Sequence, residues 1–242
     1  MLMEGAISSS PSTRIAVVTG GNKGIGLEVC WQLARNGVTV ILTARDETRG
    51  AAAVQKLGEL GLSNVIFQQL DITDASSIAR LADFLKTRYG RLDILINNAA
   101  FGGVEYLRDP ANGSVTSEEE YFRNEELNDV GDLSEERLEE LLDMFLKDFE
   151  AGTVDERGWP AAFTAYKVSK AAMNAYSRIL ATKQPALRVN CVHPGYIKTD
   201  LTIHSGLLTP EEGASRVVKV ALLPEGGVTG AFFEDGEEAS FI

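Results

Sequence analysis

The chain is short of the residues on which several common functions rest. It holds two cysteines and two histidines in 242 residues. Two cysteines are too few for a disulfide-dense frame, and Cys30 and Cys191 fall within stretches of regular hydrophobic pattern, so both read as reduced core thiols. Two histidines, His193 and His204, argue against a His-rich metal site, and no metal is expected. No apolar run approaches the roughly 20 residues that a membrane helix needs, and the N-terminal stretch MLMEGAISSSPST has no basic region followed by an apolar one. The chain therefore reads as soluble, unexported and cytoplasmic, with no membrane partner. A basic surplus is missing as well: 23 Lys and Arg stand against 35 Asp and Glu, a net charge of -12. Phosphate neutralisation needs the opposite balance, so no nucleic-acid partner is expected.

What is present is 44% apolar residues over a length that suits one domain, 1–242, with a sizeable core. The charge sits in one place. Residues 118–158 hold 16 acidic and four basic side chains, a net -12, and the rest of the chain is neutral. That block contains a strong amphipathic helix over 135–150, with Leu138, Leu141, Leu142, Phe145, Leu146 and Phe149 at three- and four-residue steps. Ser134 suits its N-cap, Leu133 can staple onto Leu138, and the acidic run reads as the solvated outer face of a cover helix.

Before this block, aliphatic runs alternate with amphipathic stretches, which is the pattern of βαβ units building a parallel sheet. Strands are expected at 15–19, 38–43, 65–70 and 92–96, with helices at 26–36, 49–60 and 75–89. The rhythm returns with a helix over 161–183, a strand at 188–192, a helix at 211–222 and a strand at 231–233. Between 101 and 160 no aliphatic strand candidate occurs at all. The fold class is thus α/β, a Rossmann-type doubly wound parallel sheet with an acidic helical insert at 118–158.

Two constellations carry chemistry. The first is the turn Thr19-Gly20-Gly21-Asn22-Lys23-Gly24-Ile25-Gly26, directly after the first strand and opening into a helix. Its glycines permit a tight turn, close approach of backbone to a pyrophosphate and close helix–strand packing, while the helix N-terminus offers N–H donors and a positive dipole end. An acidic residue at the end of the second strand would hold a ribose 2′-hydroxyl. Here that strand ends Thr43-Ala44-Arg45, and Arg45 with Lys23 suits a 2′-phosphate, so NADP(H) is preferred over NAD(H). The second constellation is Tyr166 and Lys170, four apart and so on one helix face. An ammonium beside the ring favours the phenolate, which lets Tyr166 exchange a proton with a carbonyl or alcohol oxygen.

Together, TGGNKGIG (19–26), LDIT (70–73), NNAA (97–100), YKVSK (166–170) and HPGYIKTD (193–200) resemble the short-chain dehydrogenase/reductase family, in the family's order. The wording around 157–200 looks closest to the plant menthone, isopiperitenone and salutaridine reductases and related carbonyl reductases. The resemblance implies that Gly20, Asn22, Gly24, Ile25 and Gly26 wrap the pyrophosphate, with Lys23 and Arg45 at the 2′-phosphate. It implies Asp71 and Ile72 along the adenine, Asn97 and Ala99 in the cofactor cleft, and Pro194, Gly195, Ile197 and Thr199 at the nicotinamide end. Tyr166 would be the proton donor and Lys170 would hold the nicotinamide ribose. A small-molecule carbonyl substrate, a substrate loop over 201–214 and a monomeric state are implied as well.

Two positions of that family have no counterpart: a serine ending the fifth strand and an asparagine in the helix before it. Thr153 lies 13 residues ahead of Tyr166, a spacing seen for the serine in compact members, but it follows the cover helix rather than a strand. The expectation is that one helix and one central strand are absent. The leading reading is an NADP-dependent reductase of a ketone or aldehyde of a small hydrophobic, terpenoid- or alkaloid-like molecule, with Tyr166 as proton donor; the alternative is a truncated isoform, catalytically impaired or dead, that at most binds NADP(H).

Overall fold

The computed structural model describes residues 13–100, Leu127, 133–160 and 163–241. In chain order the first elements are β1 (Ile15–Val18), α1 (Gly24–Arg35), β2 (Thr39–Ala44), α2 (Glu47–Glu59), β3 (Val65–Gln69), α3 (Ala75–Arg88) and β4 (Ile94–Ile96). After them come α4 (Glu135–Ala151), α5 (Thr164–Lys183), β5 (Cys191–His193), α6 (Pro210–Ala221), β6 (Phe232–Glu234) and β7 (Glu237–Ala239), with a 3-10 turn at Asp200–Thr202. They form two compact units, one drawn from 1–100 and 210–221, the other from 101–209 and 222–242.

The first unit is a wholly parallel sheet in the order β3-β2-β1-β4. The aliphatic runs of β1 and β2 form strands because both of their faces are covered: Ala16, Val17, Val18, Val40, Ile41 and Leu42 are fully buried. Asp46 and Asp74 cap α2 and α3 by accepting from the N–H groups of Arg49 and Ser76. Gly50 lets α2 lie flush on β3, since a Cβ there would come within 1.9 Å of the Phe67 ring. α6 packs along α1, where the Gln32 side chain donates to the Glu211 carbonyl at 3.0 Å.

The second unit joins α4, α5 and the sheet β5-β6-β7. Ser134 caps α4 as the sequence suggests, accepting from the Arg137 N–H at 3.1 Å, and Leu133 and Leu138 share one core cluster. The apolar stripe is narrower than expected. Leu138, Leu141 and Phe145 are buried and Leu142 is half-buried, but Leu146 and Phe149 are about half exposed. The face that α5 offers, built on Ala172, Ala175 and Ile179, is too slim to cover the full stripe. Lys183 also pairs with Glu135 at 3.2 Å, tying the end of α5 to the start of α4.

The strand limits shift by one to three residues from the sequence pattern, most of all at β5, and β7 is an additional strand. β5 begins at Cys191 rather than 188, because the Val189 N–H is taken by the Thr229 hydroxyl and the Asn190 amide donates to the Val228 carbonyl. β7 was not expected from its polar run Glu-Glu-Ala; it is made by the Asp235-Gly236 turn, both residues at positive φ, which folds it antiparallel onto β6. Both cysteines are buried free thiols, and burial pushes both of their pKa values up. No helix of the described residues is long and apolar enough to cross a membrane. The stretch 101–132, where the helix and strand are thought to be absent, lies outside the described residues except for Leu127.

Candidate active site

In the first unit, the glycine turn is built against the strand that ends the sheet. Gly20 and Gly24 are at φ +64° and +55°, conformations that L side chains rarely adopt. A Cβ on Gly26 would stand 2.5 Å from the Gly20 carbonyl oxygen and 2.5 Å from Asn98 Nδ2. The turn is pinned from both sides. The Gly21 N–H donates to the Thr43 carbonyl at 2.8 Å, and the Asn98 side chain donates to the carbonyls of Thr19 (2.9 Å) and Gly20 (3.3 Å). Thr19 Oγ1 accepts from the N–H groups of Asn98 (3.0 Å) and Ala99 (2.9 Å).

Thus Asn97, expected in the cleft, is exposed, while its neighbour Asn98 and the buried Thr19 hold the turn in shape. Sequence reading missed both of these. The signal was there: a polar residue closing an aliphatic strand must bond something, and NNAA offers the amide. α1 then opens at Gly24 with no side-chain cap from Lys23, unlike α2, α3 and α4. A tight cradle with uncapped helix amides fits a pyrophosphate.

At the far ends of β2 and β3, Arg45 and Asp71 are close enough for the guanidinium to act on the carboxylate. The Asp71 pKa lies below its usual value, chiefly because its carboxylate accepts the Thr73 N–H and hydroxyl, at 3.0 and 2.7 Å, with Arg45 adding to the effect. Arg45 and Ile72 are exposed and Asn22 is half-buried. Asp46 is engaged as the cap of α2 and also lies 3.8 Å from Arg49.

The second unit holds Tyr166 and Lys170. α5 starts abruptly at Phe163, at φ 52°, with the Thr164 hydroxyl donating to the Pro160 carbonyl at 2.5 Å. The preceding Trp159 is fixed to α4 by its indole N–H on Asp148 (2.9 Å) and by the Phe145 ring at 5.2 Å. Two residues into α5, Tyr166 is 37% exposed, and Lys170 Nζ stands 5.5 Å from its ring centroid. Burial lowers the Lys170 pKa below the usual lysine value. The spacing of 13 leads to no serine substitute: the Thr153 hydroxyl is bonded to the Asp148 carbonyl at the end of α4.

After β5, Pro194 and Gly195 (φ 95°) turn the chain into a closed loop. Ile197 is buried and bridges to Leu208, and its carbonyl accepts the Thr202 hydroxyl at 2.6 Å. The Thr199 N–H donates to the same hydroxyl at 3.1 Å. A Cβ on Gly206 would fall 2.2 Å from the Ile197 carbonyl carbon, so the loop closes only with glycine there. Among the described residues there is no cluster of three metal-ligating side chains.

The partial burial of Lys170 gives a prediction. Its ammonium is held in a half-buried position at a cost in stability, so Lys170→Met should raise the melting temperature by about 2 °C while reducing turnover. A lysine pKa lowered in the fold means the unfolded chain binds more protons, so wild-type stability rises with pH up to the ordinary lysine range. Calorimetry from pH 7 to 10 should show this slope in the wild type and its loss in the variant.

Residues 14–124 match the short chain dehydrogenase profile and 151–227 match the Enoyl-(Acyl carrier protein) reductase profile. The chain is 38% identical to Short-chain dehydrogenase/reductase 1 of Saponaria officinalis over 301 positions, covering 99% of this chain and 100% of that protein. With 242 residues facing 301 aligned positions, at least 59 positions inside that alignment have no residue here. Carbonyl reductase [NADPH] 1 of Homo sapiens is 36% identical, covering 89% of this chain and 93% of its own. The structure of salutaridine reductase from Papaver somniferum superposes with a TM-score of 0.84 at 37% identity, covering 91% of this chain and 99% of that one. The chain belongs to the short-chain dehydrogenase/reductase family.

Proposed function

We propose that this protein is an NADP-dependent carbonyl reductase acting on a ketone or aldehyde of a small hydrophobic molecule, terpenoid- or alkaloid-like, with the chain working as one dinucleotide-binding domain. The observation that carries the reading is the pairing of Tyr166 with the desolvated Lys170 on α5. NADPH, when bound, supplies the hydride for the carbonyl carbon. Tyr166 donates the proton to the carbonyl oxygen, and Lys170 holds the nicotinamide ribose and favours the ionised phenol after transfer. Gly20, Gly24, Ile25 and Gly26 hold the pyrophosphate, and the loop from Pro194 to Thr199 meets the nicotinamide end. Support comes from the uncapped glycine turn and from the relatives named carbonyl reductase [NADPH] and salutaridine reductase. A monomer is favoured because α4 covers the Ala172–Ala175–Ile179 face of α5, and buried reduced thiols suit the cytoplasm.

A second reading draws on the 59 or more positions absent from the alignment. If they include the serine strand, the chain binds NADP(H) and turns over slowly or not at all, since an oriented hydroxyl at the reacting carbonyl contributes about 3 kcal/mol. Following NADPH oxidation at 340 nm with cyclohexanone and menthone separates the two. Turnover above background supports the reductase; a melting-temperature rise with NADPH but no turnover supports the second reading; neither effect rejects both.

Cofactor choice has its own test. Replacing Arg45 by Asp removes the cation beside the 2′-phosphate and adds a carboxylate for a 2′-hydroxyl. The NADPH dissociation constant should rise roughly 10- to 100-fold, with NADH binding unchanged or improved, as read by fluorescence titration.

A further inference from the structure

We infer that residues 196–208 form a strained latch: the closed loop is held shut against left-handed backbone at Ile203 and His204, so it opens readily and sets how fast cofactor leaves. The control of cofactor release rests on the NADP reading proposed above, whereas the strained closure rests on the loop alone. Four described residues other than glycine have positive φ, and two of them are adjacent, Ile203 at φ 50°, ψ 35° and His204 at φ 59°. Ile203 is the β-branched one of the four, a side-chain type for which left-handed backbone is disfavoured roughly tenfold. The Ser205 N–H donates to the Thr202 carbonyl at 2.9 Å, so Thr202–Ser205 is a four-residue turn with two left-handed centres. Such a turn ordinarily takes Asn-Gly at those centres, and here it takes Ile-His.

A set of bonds internal to the loop opposes that strain. The Thr202 hydroxyl donates to the Ile197 carbonyl at 2.6 Å and accepts the Thr199 N–H at 3.1 Å. The His204 N–H donates to the Thr199 carbonyl at 2.8 Å, and the Tyr196 carbonyl accepts the N–H groups of Leu207 (2.8 Å) and Leu208 (3.0 Å). The Lys198 N–H closes the base of the loop on the Leu208 carbonyl at 2.8 Å. The hydroxyls of Tyr196 and Ser205 meet at 2.5 Å, and His204 Nε2 stands 3.3 Å from the Asp200 carboxylate. Backbone strain persists only where the surroundings over-determine it, and it clusters at ligand clamps and switch segments. Every one of these bonds joins two residues of 196–208, so they form and break as one set. On opening, water replaces the bonds and the strain is released, which leaves the two forms close in free energy. Gly195 at φ 95° forms the root of the loop, and the turn it makes with Pro194 is the segment assigned above to the nicotinamide end.

Native-state hydrogen exchange of the whole chain, followed by NMR, reads the opening. Ile203→Asn places a residue suited to left-handed backbone in the turn and should raise the protection factors of the His204 and Ser205 amides about tenfold. His204→Gly should raise that of Ser205 while leaving the Ile203 side chain in place. Ile203→Val keeps the β-branched strain and should change neither amide by more than about twofold. Unchanged or lower protection in Ile203→Asn or in His204→Gly overturns the proposal, and so does a rise in Ile203→Val as large as that in Ile203→Asn. On the same proteins, NADPH release followed by stopped-flow fluorescence should slow at least about threefold in Ile203→Asn. Slower exchange with an unchanged release rate overturns the control of release. The NADPH-induced melting shift of the wild type is recorded alongside: its absence sinks the cofactor reading, and the strained closure then stands or falls on hydrogen exchange.

Discussion

Replacement of Tyr166 by Phe is expected to lower NADPH-dependent carbonyl turnover by about three orders of magnitude, the loss typical of removing a positioned general acid. The substitution deletes one oxygen from a side chain already 37% exposed, at the start of a 20-residue helix. Its cost in stability should therefore stay within about 0.5 kcal/mol. Lys170 keeps its place, because Val168 and Ala172 around it are packed by their own burial and not by the phenol. NADPH should still raise the melting temperature of the variant by the wild-type amount, since the glycine turn belongs to the other unit. The signature is thus a fall in kcat with cofactor binding intact. A variant retaining more than a tenth of wild-type turnover would remove Tyr166 from the chemistry.

What the sequence made legible depended on how local the cause was. The turn at 19–26 could be read directly, because left-handed backbone at Gly20 and Gly24 and the crowded site at Gly26 demand glycine whatever surrounds them. The strands β1 and β2 could be read because burial on both faces writes itself as aliphatic runs. Features set by partners distant in sequence could not. The amide of Asn98 matters more to the turn than that of Asn97 only because Thr19 and Gly20 lie opposite it, some 80 residues away along the chain. Helical spacing marked Leu146 and Phe149 as a continuation of the apolar face, yet a face is only as wide as its partner, and α5 stops short of them. Spacing also singled out Thr153, whose hydroxyl proves to be spent on a helix end.

Gly26→Ala tests the cradle from a direction in which two physical effects oppose each other. Gly26 lies inside α1 at an ordinary helical φ, so propensity alone predicts that alanine stabilises the helix by about 1 kcal/mol. Packing predicts the reverse. The new methyl group would stand 2.5 Å from the Gly20 carbonyl oxygen and from Asn98 Nδ2. Neither neighbour can retreat cheaply, because Gly20 is fixed in a left-handed turn and the Asn98 amide already donates to the Thr19 and Gly20 carbonyls. Overpacking of this kind costs about 1–3 kcal/mol and moves backbone rather than a side-chain tip. The melting temperature should fall by about 4 °C or more, and NADPH affinity should drop more than tenfold as the turn shifts off the pyrophosphate. Gly58→Ala in α2 is the matched control, since a Cβ there meets nothing within 4 Å. It should raise the melting temperature by about 2 °C with NADPH binding unchanged. If both alanines stabilise the protein alike, the close approach of α1 to the turn is not what holds the cofactor cradle.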